Sequence, residues 1–199
     1  AAIVSVSFAS IFIRLAEAPP ASVAALRMLF SSLLILPFAA CSPVFRAEAR
    51  GMRWRDIGLL CLAGLMLSLH FIFWITSLSL TGITSSIVFV TTSPLFVALY
   101  SVIVFREKVS RSFWMGLILV MSGAAVMGGL KIAAGGDTWR GDLLAVAGGA
   151  AAAGYFIAGS RMRRKYSLIT YICGAYTTAA LMLLVALPVM GSSIAGLSG

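Results

Sequence analysis

Long apolar runs, separated by short breaks that carry most of the charges, are the feature that most constrains this sequence. The stretch SLHFIFWITSLSLTGITSSIVFVTTSPLFVAL, residues 68–99, contains no Asp, Glu, Lys or Arg. Over all 199 residues, 61% are hydrophobic and 11% are charged, and the mean hydropathy is +1.05. A soluble domain of this length needs more charged residues to cover its surface. The sequence therefore predicts a protein embedded in lipid.

The charged and Gly/Pro-rich breaks divide the chain into seven apolar segments. About 20 helical residues cross a hydrocarbon core of about 30 Å, and most of the segments approach or reach that length. Continuous apolar runs lack the alternation of barrel strands, so a spanning segment must satisfy its own backbone hydrogen bonds as a helix. We predict an all-α polytopic membrane protein. Its segments are 1–16, 20–40, 56–76, 84–105, 113–130, 141–159 and 169–190.

Basic residues are unevenly distributed between alternate loops. Eleven Lys and Arg residues lie in the loops after the second, fourth and sixth segments, and three lie in the other loops. Because cytoplasmic loops carry the basic excess, we predict that the N-terminus is cytoplasmic. The net charge of +9 is then an insertion signal, and no nucleic-acid partner is expected. A polybasic site for anionic lipids is the competing interpretation.

The chain is poor in groups that catalyse reactions or bind metals. It has one His, six acidic residues and three widely spaced cysteines, for which packing is the default role. It contains no HExxH, no GxSxG and no paired carboxylates. We expect no enzyme activity, no cofactor and no metal site, and an intramembrane hydrolase is the least favoured function.

The third segment carries the only histidine. His70, Trp74 and Ser77 are spaced i, i+4 and i+7, so they share one helix face. That face predicts either a cavity lining or a His and a Trp that pack against a neighbouring helix. If it lines a cavity, His70 could couple transport to protons, because the unperturbed pKa of histidine is about 6.5.

The fourth segment contains a proline after a run of hydroxyl residues. Pro94 cannot donate a hydrogen bond to the carbonyl of Val90, which predicts a weakened or kinked helix there. Thr91, Thr92 and Ser93 are placed to satisfy the groups that the proline leaves unpaired. Interrupted helices often form transporter binding sites, although proline also occurs in ordinary membrane helices.

Arg27 lies about two turns inside the second segment, in ASVAALRMLFSSLL. Charged residues inside membranes are costly and tend to face a partner or a watery cavity. Arg27 is therefore a candidate for the transport pathway, and snorkelling of its long side chain to the outer interface is the alternative.

Small residues dominate the sixth segment, AVAGGAAAAGYFIAG. Gly and Ala at four-residue spacing allow helices to approach closely. The same face could leave room for a substrate beside Tyr155, and packing alone is the alternative.

Both ends of the sequence lead us to expect a piece of a longer protein. The chain opens without Met in a segment whose apolar part is too short to span unaided, and GSSIAGLSG follows a membrane segment directly.

Three stretches, PASVAALRMLFSSLLIL, LHFIFWITSLSLTGITSSIVFVTTSPLFVALYSVIVFREKVS and WMGLILVMSGAAVM, resemble the EamA family of the drug/metabolite transporter superfamily. Arg27, Pro94 and Glu107 are the most specific parts of the resemblance. Glu107 is a candidate structural residue or cytoplasmic gate, and a solvated loop ion pair is its alternative.

The resemblance implies two five-helix repeats inserted in opposite orientations, which move small metabolites or drugs across a bacterial inner membrane. Residues 1–130 are similar to a first repeat without its leading edge, and residues 141–199 to the start of a second. The inverted five-plus-five repeat would then be incomplete here. The loop charges require the same inversion, because five helices place the sixth segment's start outside.

The leading hypothesis is a secondary transporter that exports small metabolites, amino acids or drugs by alternating access. Its central cavity would be lined by the second, third, fourth and sixth segments, and its partners would be the lipid bilayer and a small-molecule substrate. A homodimer is a further possible assembly. The alternative is a non-transporting membrane sensor or assembly protein whose polar groups only pack helices.

Overall fold

A computed structural model describes residues 2–15, 18–106, 110–133 and 138–192 of the chain. These residues form helices and no strand, which confirms the predicted all-α class. The helices are α1 (Ala2–Leu15), α2 (Pro20–Cys41), α3 (Pro43–Arg50), α4 (Trp54–Leu80), α5 (Ile83–Val90), α6 (Ser93–Phe105), α7 (Arg111–Ala133), α8 (Trp139–Met162) and α9 (Leu168–Val189).

Five of the seven predicted segments are long and apolar enough to cross a bilayer, judged on the residues that the structure describes. They are α2, α4, α8, α9 and the interval Ile83–Val104, which takes α5 and α6 together. Helix α1 has 14 residues and falls short of the roughly 20 that a span needs. The chain is a multi-pass membrane protein.

The predicted fourth segment is two helices rather than one. Helix α5 ends at Val90, α6 begins at Ser93, and Pro94 occupies the first turn of α6. Proline is well tolerated at the start of a helix, because the N–H that it lacks would have no helical acceptor there. The predicted weakening at Pro94 is therefore a two-residue turn, Thr91 and Thr92, that separates the two helices.

Helix α3 was not predicted from the sequence, which has no apolar run between the second and third segments. Pro43 is its first residue, and the Ser42 hydroxyl accepts a hydrogen bond from the Phe45 amide at 3.3 Å. A serine cap followed by proline is a typical helix start. The chain between these two spans therefore folds into a short helix rather than an extended loop.

The helices form two compact units, with α4 and α8 contributing to both. The boundary falls after Ile72 in α4 and after Ala153 in α8. The first unit contains α1, α5, α6, α7, the end of α4 and the start of α8. The second contains α2, α3, α9, the start of α4 and the end of α8. These units group residues by their contacts in space, whereas the predicted repeats, 1–130 and 141–199, divide the chain along its sequence. The repeats therefore stay a prediction.

In the second unit, glycines allow α4 and α9 to approach closely. A methyl group added at Gly64 would lie 2.6 Å from the Cβ of Thr178, and one added at Gly174 would lie 2.8 Å from a methyl group of Leu60. Lipid tails are as apolar as leucine, so membrane helices associate through this kind of close packing rather than through the hydrophobic effect. The adjoining core consists of Leu60, Ala63, Ala158, Met162, Tyr171 and Ala175.

Candidate functional site

The break between α5 and α6 changes the local pattern of backbone hydrogen bonds. The Thr92 amide donates to the Phe89 carbonyl at 3.2 Å, and the Leu95 amide donates to the Thr92 carbonyl at 2.9 Å. These bonds join residues three apart, so the chain tightens where it leaves the α-helical pattern. Because Pro94 has no N–H, the Val90 carbonyl lacks its usual helical donor.

Two threonine hydroxyls donate to carbonyls beside the break, although neither donates to the Val90 carbonyl that Pro94 leaves without its helical donor. The Thr91 hydroxyl donates to the Val88 carbonyl at 2.8 Å, and the Thr92 hydroxyl donates to the Phe89 carbonyl at 2.7 Å. Both hydroxyl protons are thereby used, and each oxygen keeps lone pairs that can accept a hydrogen bond. The break therefore presents acceptor groups within an apolar helix.

The open side of the break packs on α8 at Gly149. A methyl group added at Gly149 would lie 2.9 Å from the Val90 carbonyl oxygen, 3.3 Å from the Thr92 hydroxyl and 3.5 Å from the Phe89 carbonyl oxygen. Only a residue without a side chain permits so close an approach. Helix α8 thus supplies the backbone surface against which the interrupted helix is held.

A cavity of about 330 Å³ adjoins the break within the first unit. Thr91, Thr92 and Pro94 form one wall, and Phe113 and Leu117 of α7 contribute to the other. The lining is mainly apolar, and this volume lies at the lower end of the range for ligand pockets. The cavity has room for a small molecule, or for one group of a larger one.

Ser77 has a packing role at the turn between α4 and α5. Its hydroxyl donates to the Trp74 carbonyl at 2.7 Å and shares a second hydrogen bond with the Ser86 hydroxyl. Trp74, Ser77 and Ser86 are buried. This arrangement agrees with the packing alternative for Trp74 and Ser77, which share a helix face with His70.

Sequence reasoning did not single out Ser85 and Ser86 of α5. Ser86 joins α5 to α4, whereas the buried Ser85 hydroxyl has no hydrogen-bond partner among the described residues. Buried polar atoms of this kind are uncommon and call for an explanation. The signal was present in the hydroxyl-rich stretch TGITSS, but it does not distinguish between neighbouring serines.

Arg27 and His70 meet at one aromatic ring in the second unit. The guanidinium carbon of Arg27 lies 4.7 Å from the centroid of the Phe71 ring, and the His70 ring contacts Phe71 edge-on at 4.9 Å between centroids. Phe71 is buried, so the Arg27 charge is held over an aromatic face inside the unit by a cation–π interaction. Arg27 therefore has a defined interior contact in addition to its long stem.

Tyr155 stacks on Tyr171, which joins α8 to α9. The ring centroids are 5.5 Å apart, and the Tyr171 hydroxyl donates to the Tyr155 backbone carbonyl at 2.8 Å. Gly159 makes room for Tyr171, because an added methyl group there would lie 2.8 Å from its hydroxyl oxygen. The small-residue face of α8 therefore packs closely on α9, and the same region carries the aromatic ring of Tyr155.

The predicted site residues thus fall into separate local groups. Thr91, Thr92 and Pro94 line one cavity, and Arg27 and His70 share the Phe71 ring. Glu107 lies outside the described residues. Within the described ranges, no group of three or more His, Cys, Asp or Glu side chains is arranged to hold a metal ion.

The loop between α8 and α9 is held by two acidic residues that sequence reasoning did not select. Asp56 accepts hydrogen bonds from the Lys165 ammonium at 3.0 Å and from the Tyr166 hydroxyl at 2.8 Å. The Glu48 carboxylate accepts from the Ser167 amide at 2.9 Å and from the Ser167 hydroxyl at 2.7 Å. Their position among basic residues was the only sequence signal.

These contacts shift the pKa values of two residues outside the spans, Glu48 and Tyr166. Desolvation raises the pKa of Glu48, but hydrogen bonds from Thr170 and Ser167 outweigh it and hold that pKa below its ordinary value. The hydrogen bond to Asp56 is the main cause of a raised pKa at Tyr166. The ionised Glu48 carboxylate therefore stabilises the start of α9, where the backbone amides attract negative charge.

The described residues form several helical spans, one of them discontinuous at Thr91 and Thr92, and so define a polytopic membrane protein. The model of the EamA-like transporter family matches residues 1–129, and the chain belongs to this family. This result confirms the resemblance seen in the motifs around Arg27 and Pro94. Comparisons with curated proteins and with solved structures find no match.

Proposed function

We propose that this chain acts in secondary transport and exports small molecules across a bacterial inner membrane by alternating access. The observation that carries the proposal is the break between α5 and α6 inside an otherwise apolar span. Discontinuous helices in transporters provide backbone carbonyls and helix ends for substrates and ions without exposing an open backbone to lipid. The N-terminus is proposed to lie in the cytoplasm, as the loop charges indicate.

The groups at the break determine what it could bind. The Thr91 and Thr92 oxygens keep acceptor lone pairs, and the end of α5 carries the negative pole of a helix dipole. Pro94, Phe113 and Leu117 make the adjoining cavity largely apolar. A small molecule with an apolar part and a hydrogen-bond donor suits this combination.

Arg27, His70 and Tyr155 are proposed as additional transport-pathway residues. Arg27 would hold an anionic group of the substrate or brace a neighbouring helix, because its guanidinium forms forked hydrogen bonds. His70 would carry the coupling proton. The proximity of the Arg27 and His70 side chains to Phe71 supports treating them as one group.

The test compares two prolines in the full-length protein. Pro94→Ala restores a backbone donor to the Val90 carbonyl and should close the break, whereas Pro37→Ala changes a proline inside the uninterrupted α2. Efflux of a panel of amino acids and related metabolites is measured in cells, with membrane abundance as the reference. We expect Pro94→Ala to lose most of the flux and Pro37→Ala to retain it.

Three results would separate the hypotheses. Equal flux in the two variants would show that the break is not the transporting element. Flux that is independent of the proton gradient would remove coupling through His70. Absence of any flux above the background of cells without the protein would favour the sensor or assembly alternative.

A further inference from the structure

The connection between α2 and α4 presents a basic surface, which we define as Arg46, Arg50, Trp54 and Arg55. All four side chains are exposed, and Trp54 retains 86% of its accessible surface. A tryptophan side chain with this exposed fraction is unusual in contact with water alone, whereas tryptophan is enriched at the headgroup level of membranes. The surface thus combines three cations with an aromatic ring suited to the lipid interface.

The acids of this segment are directed away from the basic surface. Glu48 is bound to Ser167 at the start of α9, and Asp56 is bound to Lys165 and Tyr166. No ion pair among the described residues involves Arg46, Arg50 or Arg55. Glu48 and Asp56 are therefore occupied by contacts inside the second unit, and the basic surface keeps its positive charge.

Helix geometry places two of the arginines opposite Glu48. An α-helix turns by about 100° per residue, so Arg46 and Arg50, each two positions from Glu48, lie about 200° around the helix from it. They are four residues apart and share a face. Because Glu48 points to α9, the Arg46 and Arg50 side chains point away from the unit.

The position of the two adjoining spans keeps this surface at the membrane boundary. Helix α2 ends at Cys41 and α4 begins at Trp54, and both are candidate spans. The intervening residues 42–53 include α3, which is fixed to α9 through Glu48. The connection therefore cannot extend far from the lipid headgroups.

From this charge complementarity we infer that the basic surface is a binding site for anionic phospholipid headgroups, with Arg46, Arg50 and Arg55 contacting the phosphate and Trp54 lying at the headgroup level. Membrane surfaces rich in anionic lipid attract such segments with a free energy that adds up over the basic residues. This inference concerns the lipid partner and is independent of the proposed transport activity.

The first experiment compares two triple variants of the full-length protein in a neutral detergent. Phosphatidylglycerol, phosphatidylcholine and inorganic phosphate are titrated separately, and native mass spectrometry measures their binding. R46Q/R50Q/R55Q removes the basic surface, whereas R106Q/R111Q/R164Q removes three exposed arginines from the other two predicted cytoplasmic loops. We expect phosphatidylglycerol to bind the first variant on the order of a hundredfold more weakly than the wild type, and the control to bind as the wild type does.

Three outcomes would overturn the inference. Phosphatidylglycerol could bind both triple variants equally, phosphatidylcholine could bind the wild type as strongly, or inorganic phosphate could displace phosphatidylglycerol at equal concentration. The last result would assign the surface to free phosphate. Support also requires the affinity to fall as salt is raised above 0.1 M, where the Debye length is about 10 Å.

A second measurement keeps all the arginines and so does not depend on folding of the triple variants. The fluorescence of Trp54 is obtained as the difference between the wild type and W54F, both in lipid nanodiscs. Bromine atoms are placed on the acyl carbons nearest the headgroup of either phosphatidylglycerol or phosphatidylcholine, at equal mole fractions. Stronger quenching by the brominated phosphatidylglycerol is expected, and equal quenching by the two lipids would contradict the inference.

Discussion

Replacement of Gly149 by alanine tests whether the interrupted helix depends on its contact with α8. The new methyl carbon would lie 2.9 Å from the Val90 carbonyl oxygen. Ordinary carbon–oxygen contacts begin near 3.3 Å, so the two helices would have to separate by roughly 0.4 Å. The Val90 oxygen belongs to the backbone and cannot rotate away as a flexible side chain could.

The expected change in stability combines two opposing effects. Overpacking of a close contact costs about 1–3 kcal/mol, and alanine gains about 0.8–1 kcal/mol over glycine inside a helix. The net destabilisation by Gly149→Ala is then about 1 kcal/mol. For a chain of this size, such a change lowers the unfolding midpoint by about 2–4 °C.

Gly58→Ala provides the matched control. Gly58 also lies in a membrane helix, but an added methyl group there would have no atom within 4 Å. Only the gain in helix propensity applies, so its midpoint should stay unchanged or rise. Thermal unfolding of both variants is measured in the same mild detergent. A midpoint for Gly149→Ala equal to or above that of Gly58→Ala would refute the proposed role of this contact.

Three further predictions concern Arg27, Glu48 and the topology. Arg27→Lys should lose most of the flux at normal membrane abundance, because lysine keeps the charge without the planar fork; near-normal flux would show that charge alone is sufficient. Hydrogen bonds lower the folded-state pKa of Glu48, so its stabilisation is present above about pH 4.3 and is lost as the pH falls through the folded-state pKa. Glu48→Gln should therefore reduce the fall in unfolding temperature between pH 6 and pH 3, and an unchanged pH profile would contradict the role of this carboxylate. In a chain without its natural cysteines, Gly82→Cys should react with an impermeant thiol reagent outside cells and Arg50→Cys should not, whereas the reverse pattern would invert the topology.

The position of the helix break could be predicted because it depends on local chemistry. The missing N–H of Pro94 acts on a carbonyl four residues earlier, and the hydroxyls of Thr91 and Thr92 bond to carbonyls three residues earlier. The spans could be predicted for a similar reason, since hydropathy is a property of each segment. Helix α3 was missed because its short polar sequence has no apolar run, and its start depends on the Ser42 cap.

The sequence by itself therefore determined that this chain is helical, that it lies in a membrane, and that its fourth segment is interrupted. Only the tertiary structure decided that Gly149 receives the interrupted backbone and that Glu48 binds Ser167, a residue 119 positions further along the chain. Such contacts depend on which helix faces meet. A run of apolar residues specifies insertion into lipid, but because every face of such a helix is apolar, it does not specify the neighbour against which each face packs.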